Sequence, residues 1–390
     1  MSASHVYYLF TALISIGMGL HTTAYTPFLA SIGLTLGEIA LVNTFFLGVL
    51  IAAELPTGMF ADGRSRAFSL KMGAAFYAVG SLTYMAATGF WSAAFAESII
   101  GVGGAFISGA SSAWIADALA REGKQETLRR VFATESLIKS VCMLVGGVVG
   151  AAIALIDYRL IWIGFVFGGA IASFVAHTQM NGRGEPLEYV SEFKALSLAL
   201  GALGRSRALI WGVCATLVFD AVIVFNHYWA LYFKPEVGQL GLSWIWVVMY
   251  LGLVGASQFI RRASMSQGSE APLIALSILL SGLGLGLVAI APTLWLAIPA
   301  LVIHEVGRGL FEPLSSSFVQ HRVHTSYRAT FGSLQSFLGR IGLAIIPFII
   351  WLSIHGQPDT RETIVRIWIA CSVFLVVGAG VLWLTRPKDK

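Results

Sequence analysis

The sequence predicts an all-α integral membrane protein, with twelve transmembrane helices in two pseudo-symmetric six-helix bundles. Three observations carry this. The 390 residues are 57% hydrophobic and only 12% charged, about half the charged fraction of an ordinary globular domain, and the mean hydropathy is +0.79. Apolar residues gather in blocks of about 20, the length that crosses roughly 30 Å of hydrocarbon as helix. The one long polar connection, 179–207, divides these blocks into six and six and contains "NGRGEPLEYVSEFK".

The blocks follow in order. The first, 6–30, lacks a positively charged start and runs on towards Pro27, so it reads as a membrane helix and not as a cleavable signal. Blocks at 38–60, 69–89, 91–117, 131–156 and 160–178 complete the first half. Those at 208–233, 241–260, 271–291, 293–319, 329–353 and 364–385 make the second. Several connections are very short, which makes consecutive helices antiparallel neighbours. Cys142, Cys214 and Cys371 sit in three different blocks without metal-ligand spacing. They read as buried free thiols, and no metal is expected.

The basic residues orient the chain. With the N-terminus inside, 18 of the 25 lysines and arginines fall on the cytoplasmic side, 4 on the other and 3 within spans. This follows the positive-inside rule and places both termini in the cytoplasm. Topology thus accounts for the net charge of +5, and no nucleic-acid partner is expected. A repeat supports the two halves. "FISGASSAW" in the fourth block resembles "FEPLSSSF" in the tenth, 205 residues later, and "GMFADGR" faces "GASQFIRR" in the corresponding loops. The expected organisation is a bundle over 1–178, a cytoplasmic linker over 179–207 and a second bundle over 208–390, with a site between halves as in secondary transporters. One chain with two halves supplies a full pathway, so a monomer is expected.

Ionisable side chains at membrane depth cost at least about 2.5–3.5 kcal/mol on insertion scales and mark functional positions or partnered pairs. Asp220 lies near the middle of the seventh block and Arg340 near the middle of the eleventh. His304, Glu305, Arg308 and Glu312 lie in the tenth, and spacings of three and four put the last three on one face. Glu135 precedes Lys139 by four in the fifth block. Two readings stand for these groups, namely proton coupling or substrate binding on one side and internal ion pairs on the other. Carboxylates there suit proton exchange, and arginines suit an anionic substrate group. Tyr25, Phe28, Asn226, His227, Tyr228 and Trp229 suit either an amphipathic cavity lining or interface anchoring. Ser108, Gly109, Ser111 and Ser112 read as small-residue helix packing.

Other chemistries fail on spacing. His304-Glu305 begins an H-E-x-x-H zinc motif, but Arg308 stands where the second histidine belongs. Gly282, Gly284 and Gly286 lie inside an apolar block with no strand before them, and no phosphate-binding lysine motif occurs. No cofactor and no direct ATP drive are expected; an ion gradient is the expected driving force.

Between the second and third blocks stands "ELPTGMFADGRSRAFSLKMG". Its Gly58, Ala61, Asp62 and Arg66 resemble the G-x-x-A-D-R-x-G-R-R signature of the major facilitator superfamily, at the loop where that family carries it. Glu54-Leu55-Pro56-Thr57-Gly58 is similar to the E-x-P-T-G variant of many bacterial facilitators, and "SGASSAWIAD" and "RATFGSL" resemble further stretches of that subgroup. The resemblance implies a bacterial inner-membrane carrier working by alternating access, with Gly58, Asp62, Arg64 and Arg66 forming a cytoplasmic gate. Departures occur at Gly63, Ser65 and Ala67. Glu97, four residues before Gly101, stands where the family often has an arginine linked to proton coupling. Cys142-Met143 stand where its antiporters have Gly-Pro.

The leading expectation is therefore proton-coupled export of a small amphipathic drug-like compound or metabolite, a carboxylated one being an option. The alternatives are a proton-coupled importer of a nutrient or organic anion, and an intramembrane or lipid-handling enzyme using His304 and Glu305. Protons or Na⁺, membrane lipids and a small-molecule substrate are the expected partners.

Overall fold

The computed structural model describes residues 1–63, 65–184, 201, 203–262, 269–323 and 328–387, and among these no strand occurs. The chain divides into two compact units, Met1–Tyr189 with Phe233–Trp246, and Val190–Tyr232 with Val247–Lys390.

In the first unit, α1 (Ala3–Thr22) starts where the Ser2 hydroxyl accepts from the His5 amide, satisfying one of the amides a helix start leaves open. It breaks at Thr23, and α2 (Tyr25–Ser31) follows, with Pro27 in its first turn where a missing amide is harmless. The first predicted span is thus two helices. Next come α3 (Leu36–Gly63), α4 (Arg66–Met85), α5 (Phe90–Arg121), α6 (Leu128–Ile153) and α7 (Ile163–Val175), the last extended by a π turn, Ala176–Met180. Ser65 caps α4 by accepting from the Phe68 amide. Helix α1 packs on α6 and α7, α4 on α5 and α7, and α3 on α5.

The α1–α6 crossing depends on absent side chains. A Cβ at Gly19 would stand 2.6 Å from the Cys142 carbonyl oxygen, one at Gly146 2.7 Å from Gly19 Cα, and one at Gly150 would strike the Leu20 carbonyl. All three obstacles are backbone, which cannot rotate away. In lipid, such close approach is what drives helices together. We expect Gly150→Val to destabilise the protein by about 1–3 kcal/mol or more, the usual cost of overpacking. Thermal unfolding in detergent checks this, and an unchanged midpoint would show that the crossing tolerates separation.

The second unit opens with α8 (Arg207–Phe219), a 3₁₀ turn over Asp220–Val222, and α9 (Ile223–Arg262). Helix α9 is interrupted at Gly238, whose φ of 70° and ψ of 175° belong to glycine alone; the residues about that break, Phe233–Trp246, group with the first unit. Helices α10 (Glu270–Ile290), α11 (Leu294–Arg322), α12 (Arg328–Ile354) and α13 (Arg361–Thr385) complete it. Helix α10 packs chiefly on α11 and α13. At Gly307 a Cβ would lie 2.5 Å from the Ser281 amide, so α10 and α11 nearly touch backbones as α1 and α6 do.

Among the described residues, ten helical stretches are long and apolar enough to cross a membrane. Helix covers all twelve predicted blocks, and two places account for the lower number. The seventh and eighth blocks lie in one run, Arg207–Ile260. Helix α4 is not among the ten, because Ser69, Lys71, Ser81 and Thr83 dilute its hydropathy. Large apolar side chains face outward, Trp295 and Leu384 at 84% exposure and Trp91 at 76%. In water such a surface would aggregate; in lipid it is the solvated face. The three cysteines are free, yet none is fully buried as predicted, and Cys214 is exposed on α8. A thiol is apolar enough to meet lipid.

Candidate functional site

Asp220 begins the 3₁₀ turn that separates α8 from α9, and such a tightening inside a long helix is a common hinge. It is 7% exposed, and among the described residues its Oδ2 has no hydrogen-bond partner. The space before that oxygen exists because α12 carries glycines there. A Cβ at Gly342 would lie 2.9 Å from Oδ2, and one at Gly339 3.6 Å. One turn earlier, the Thr216 hydroxyl accepts from Gln335 Nε2 at 3.0 Å, and the same amide donates to Ser315 Oγ at 3.1 Å. This amide bridge links α8, α11 and α12 beside the carboxyl. A buried carboxylate with an unpartnered oxygen is costly as an anion.

On α11, Glu305 is wholly buried, and Arg308 Nη1 donates to both its oxygens, at 2.8 and 3.0 Å. His304, also wholly buried, donates through Nδ1 to the Ser281 carbonyl at 2.7 Å, which leaves Nε2 without a partner among apolar neighbours such as Phe225. Sequence reasoning placed Glu312 on this face, but it is exposed, and among the described residues it accepts from Ser316 Oγ at 3.5 Å. The Arg308 guanidinium is turned to the wholly buried Glu305, and Glu312 lies at the exposed surface instead. The predicted cavity residue His227 is 4% exposed with Nδ1 unpartnered, Tyr228 is fully buried, and Asn226 is half-buried. Arg340 is half-buried on α12.

In the first unit, Glu135 and Lys139 pair at 2.6 Å, the lysine more than half exposed. Arg66, at the start of α4, pairs with Asp117 near the end of α5 and donates to the Ala113 carbonyl at 2.9 Å. Glu270, at the start of α10, pairs at 3.8 Å with Arg322 at the end of α11. Asp117 and Arg322 are 205 residues apart, the spacing of the sequence repeat. The two halves therefore carry the same tie with its signs exchanged. We expect Arg66→Asp to cost about 1.5–3 kcal/mol, the scale of a hydrogen bond to a charged group, and Arg66→Asp with Asp117→Arg to recover most of it. Folded yield by size-exclusion chromatography measures both; a double variant no better than the single would sink the pairing. Between α5 and α6, Glu122 accepts from Lys124 Nζ and from the Ala3 amide, both at 3.0 Å, and the lysine holds its carboxyl below the usual carboxylate range.

The predicted gate is described in part. Gly58 and Asp62 stand in the last turns of α3, but their side chains lie outside the described residues, and Arg64 lies outside them altogether.

Sequence reasoning did not choose Glu97 as a site. It is 8% exposed on α5, and the Tyr84 hydroxyl donates to its Oε2 at 2.5 Å. The Tyr25 hydroxyl stands 3.4 Å from that of Tyr84. Trp162 stacks on Tyr84 at 4.0 Å, His21 stacks on Trp162 at 5.2 Å, and Phe28 meets both Tyr84 and Trp162 edge-on. The predicted lining residue Tyr25 thus belongs to a carboxyl–hydroxyl cluster. The available signal was a carboxylate where the resemblance expects arginine, in a helix with no other ionisable residue for two turns on either side.

A family model described as Major Facilitator Superfamily matches residues 7–347. No curated sequence matches the chain. Solved structures of similar fold include a nucleoside transporter, NupG, at TM-score 0.77 and 13% identity, covering 100% of both chains. A bacterial homolog of the human lysosomal transporter Spinster, inward-facing and unoccupied, reaches 0.75 at 15% identity over 98% of this chain and 96% of that one. The peptide transporter POT in complex with sulfate reaches 0.73 at 13% identity, over 98% and 94%.

Proposed function

The chain belongs to the Major Facilitator Superfamily and is a transporter and not an enzyme; from that premise we propose that it imports a small polar organic solute together with protons, by alternating access. Asp220 carries this reading. Its unpartnered buried oxygen, at a break between two helices and against two glycines, is a proton site that helix movement would open or close. The Glu305–Arg308 pair on α11 and the half-buried Arg340 on α12 are the second unit's candidate groups for a solute anion.

Uptake replaces export as the leading reading. Cys142-Met143 do not supply the antiporter pattern, and structures of similar fold are named for nucleosides and peptides, polar metabolites and not drug-like compounds. The enzyme alternative falls with the family, and both Glu305 oxygens are already held by Arg308. The same reading gives twelve crossings in bundles 1–178 and 208–390, α4 and the Gly238 break supplying the two beyond ten. It places the chain in a bacterial inner membrane as a monomer with both termini cytoplasmic. Gly58, Asp62, Arg64 and Arg66 form its cytoplasmic gate, and its subgroup is the E-x-P-T-G one.

Proteoliposomes with an inward proton gradient and labelled nucleosides, dipeptides or organic acids test this. Uptake that a protonophore abolishes supports the proposal. Uptake that ignores the protonophore and follows a Na⁺ gradient, or movement only outward, would overturn it.

A further inference from the structure

We propose that Glu97 is a second proton-loading carboxyl, set in the first unit and reached through the hydroxyls of Tyr25 and Tyr84. The three oxygens form a graded chain. Tyr25 is half-buried, Tyr84 is completely buried, and Glu97 ends the chain in the interior. Glu97 lies seven residues into α5, so it sits about 10 Å along the axis from the Phe90 end. That end is remote from the basic Arg121 end.

Aromatic rings seal the surroundings. Trp162, Phe28 and His21 pack against the two tyrosines at ring-contact distances, which leaves the hydroxyls as the polar route. The titratable groups facing Glu97 are Tyr77 and Tyr84 from α4 and Tyr25 from α2. His21 of α1 packs on Tyr25 and directs Nδ1 to the Gly17 carbonyl. Arg159, before α7, is engaged on the Met85 carbonyl. Helix α3 meets α5 at Gly101 through the Phe46 carbonyl. Among the described residues, no lysine or arginine pairs with Glu97. A carboxylate here has only neutral partners, and charge at such depth costs at least about 2.5–3.5 kcal/mol. The remaining cation that fits without opening the cluster is a proton.

The step balances in protons alone. A hydronium proton binds the Tyr25 oxygen, leaving water, as the Tyr25 proton passes to the Tyr84 oxygen, and the Tyr84 proton passes to Glu97 Oε2. One O–H bond breaks and one forms at each hydroxyl, the carboxylate becomes a carboxylic acid, and no electrons are exchanged.

Infrared difference spectroscopy of the full chain in lipid, titrated with pH, tests the inference without a known solute. A carboxylic-acid band is expected that titrates in the wild type and is missing in Glu97→Gln. In Tyr84→Phe, which keeps the ring stacking, the band should shift and appear several-fold more slowly after a pH jump. A Glu97→Gln spectrum identical to wild type would overturn the proposal, as would a Tyr84→Phe band unchanged in both position and rate. The transport role rests on the proton-coupled reading above, and the two fail separately. A titrating Glu97 band in a protein whose uptake ignores the proton gradient sinks that reading and leaves the site. Gradient-driven uptake that survives Glu97→Gln, with no band lost, sinks the site and leaves the reading.

Discussion

Asp220→Asn should abolish uptake driven by a proton gradient, by at least about 100-fold, the scale of losing a group that moves a proton at an essential step. Folded yield should be unchanged or higher. Asparagine keeps the shape beside Gly339 and Gly342, and it removes an ionisable oxygen that is buried without a partner. Exchange of labelled for unlabelled solute at equal pH should survive, because exchange needs no net proton movement. Gly342→Ala offers a second handle. Its methyl would press within 2.9 Å of Oδ2, and uptake should fall while Asp220 remains. Full gradient-driven uptake by Asp220→Asn would remove this carboxyl from the mechanism.

The second large effect is on stability. Arg308→Gln leaves Glu305 fully buried with its cation gone, and breaking one side of a buried pair typically costs about 3–5 kcal/mol. The double variant Glu305→Gln with Arg308→Gln removes the stranded charge and should recover most of that loss. Thermal unfolding in detergent reads both. A single variant as stable as wild type would show that the pair sits in a wetter place than its burial indicates. A double variant no better than the single would assign the loss to packing.

What the sequence made legible was whatever repeats locally. Blocks of about 20 apolar residues marked the long helices among the described residues, and i, i+3 and i, i+4 spacing paired Glu305 with Arg308 and Glu135 with Lys139. Spacing failed where geometry is decided between helices. Glu312 shares the helical face but not the partner. The orphan oxygen of Asp220 depends on glycines more than 110 residues away, which no local pattern reports. Glu97 was visible only as a departure from a family pattern, since its meaning lies in tyrosines from two other helices. The grouping of Phe233–Trp246 with the first unit was hidden for the same reason.

The sign-exchanged ties have a bearing on how such a chain tolerates recombination. Helices α4 and α5 carry Arg66 and its acid together, and α10 and α11 carry Glu270 and its base together. Transplanting a whole pair between halves keeps every charge with its complement. Transplanting one helix of a pair sets Arg66 against Arg322, or Asp117 against Glu270. The helix pair is therefore the smallest exchangeable module at these ends, and single-helix chimeras should fail there first.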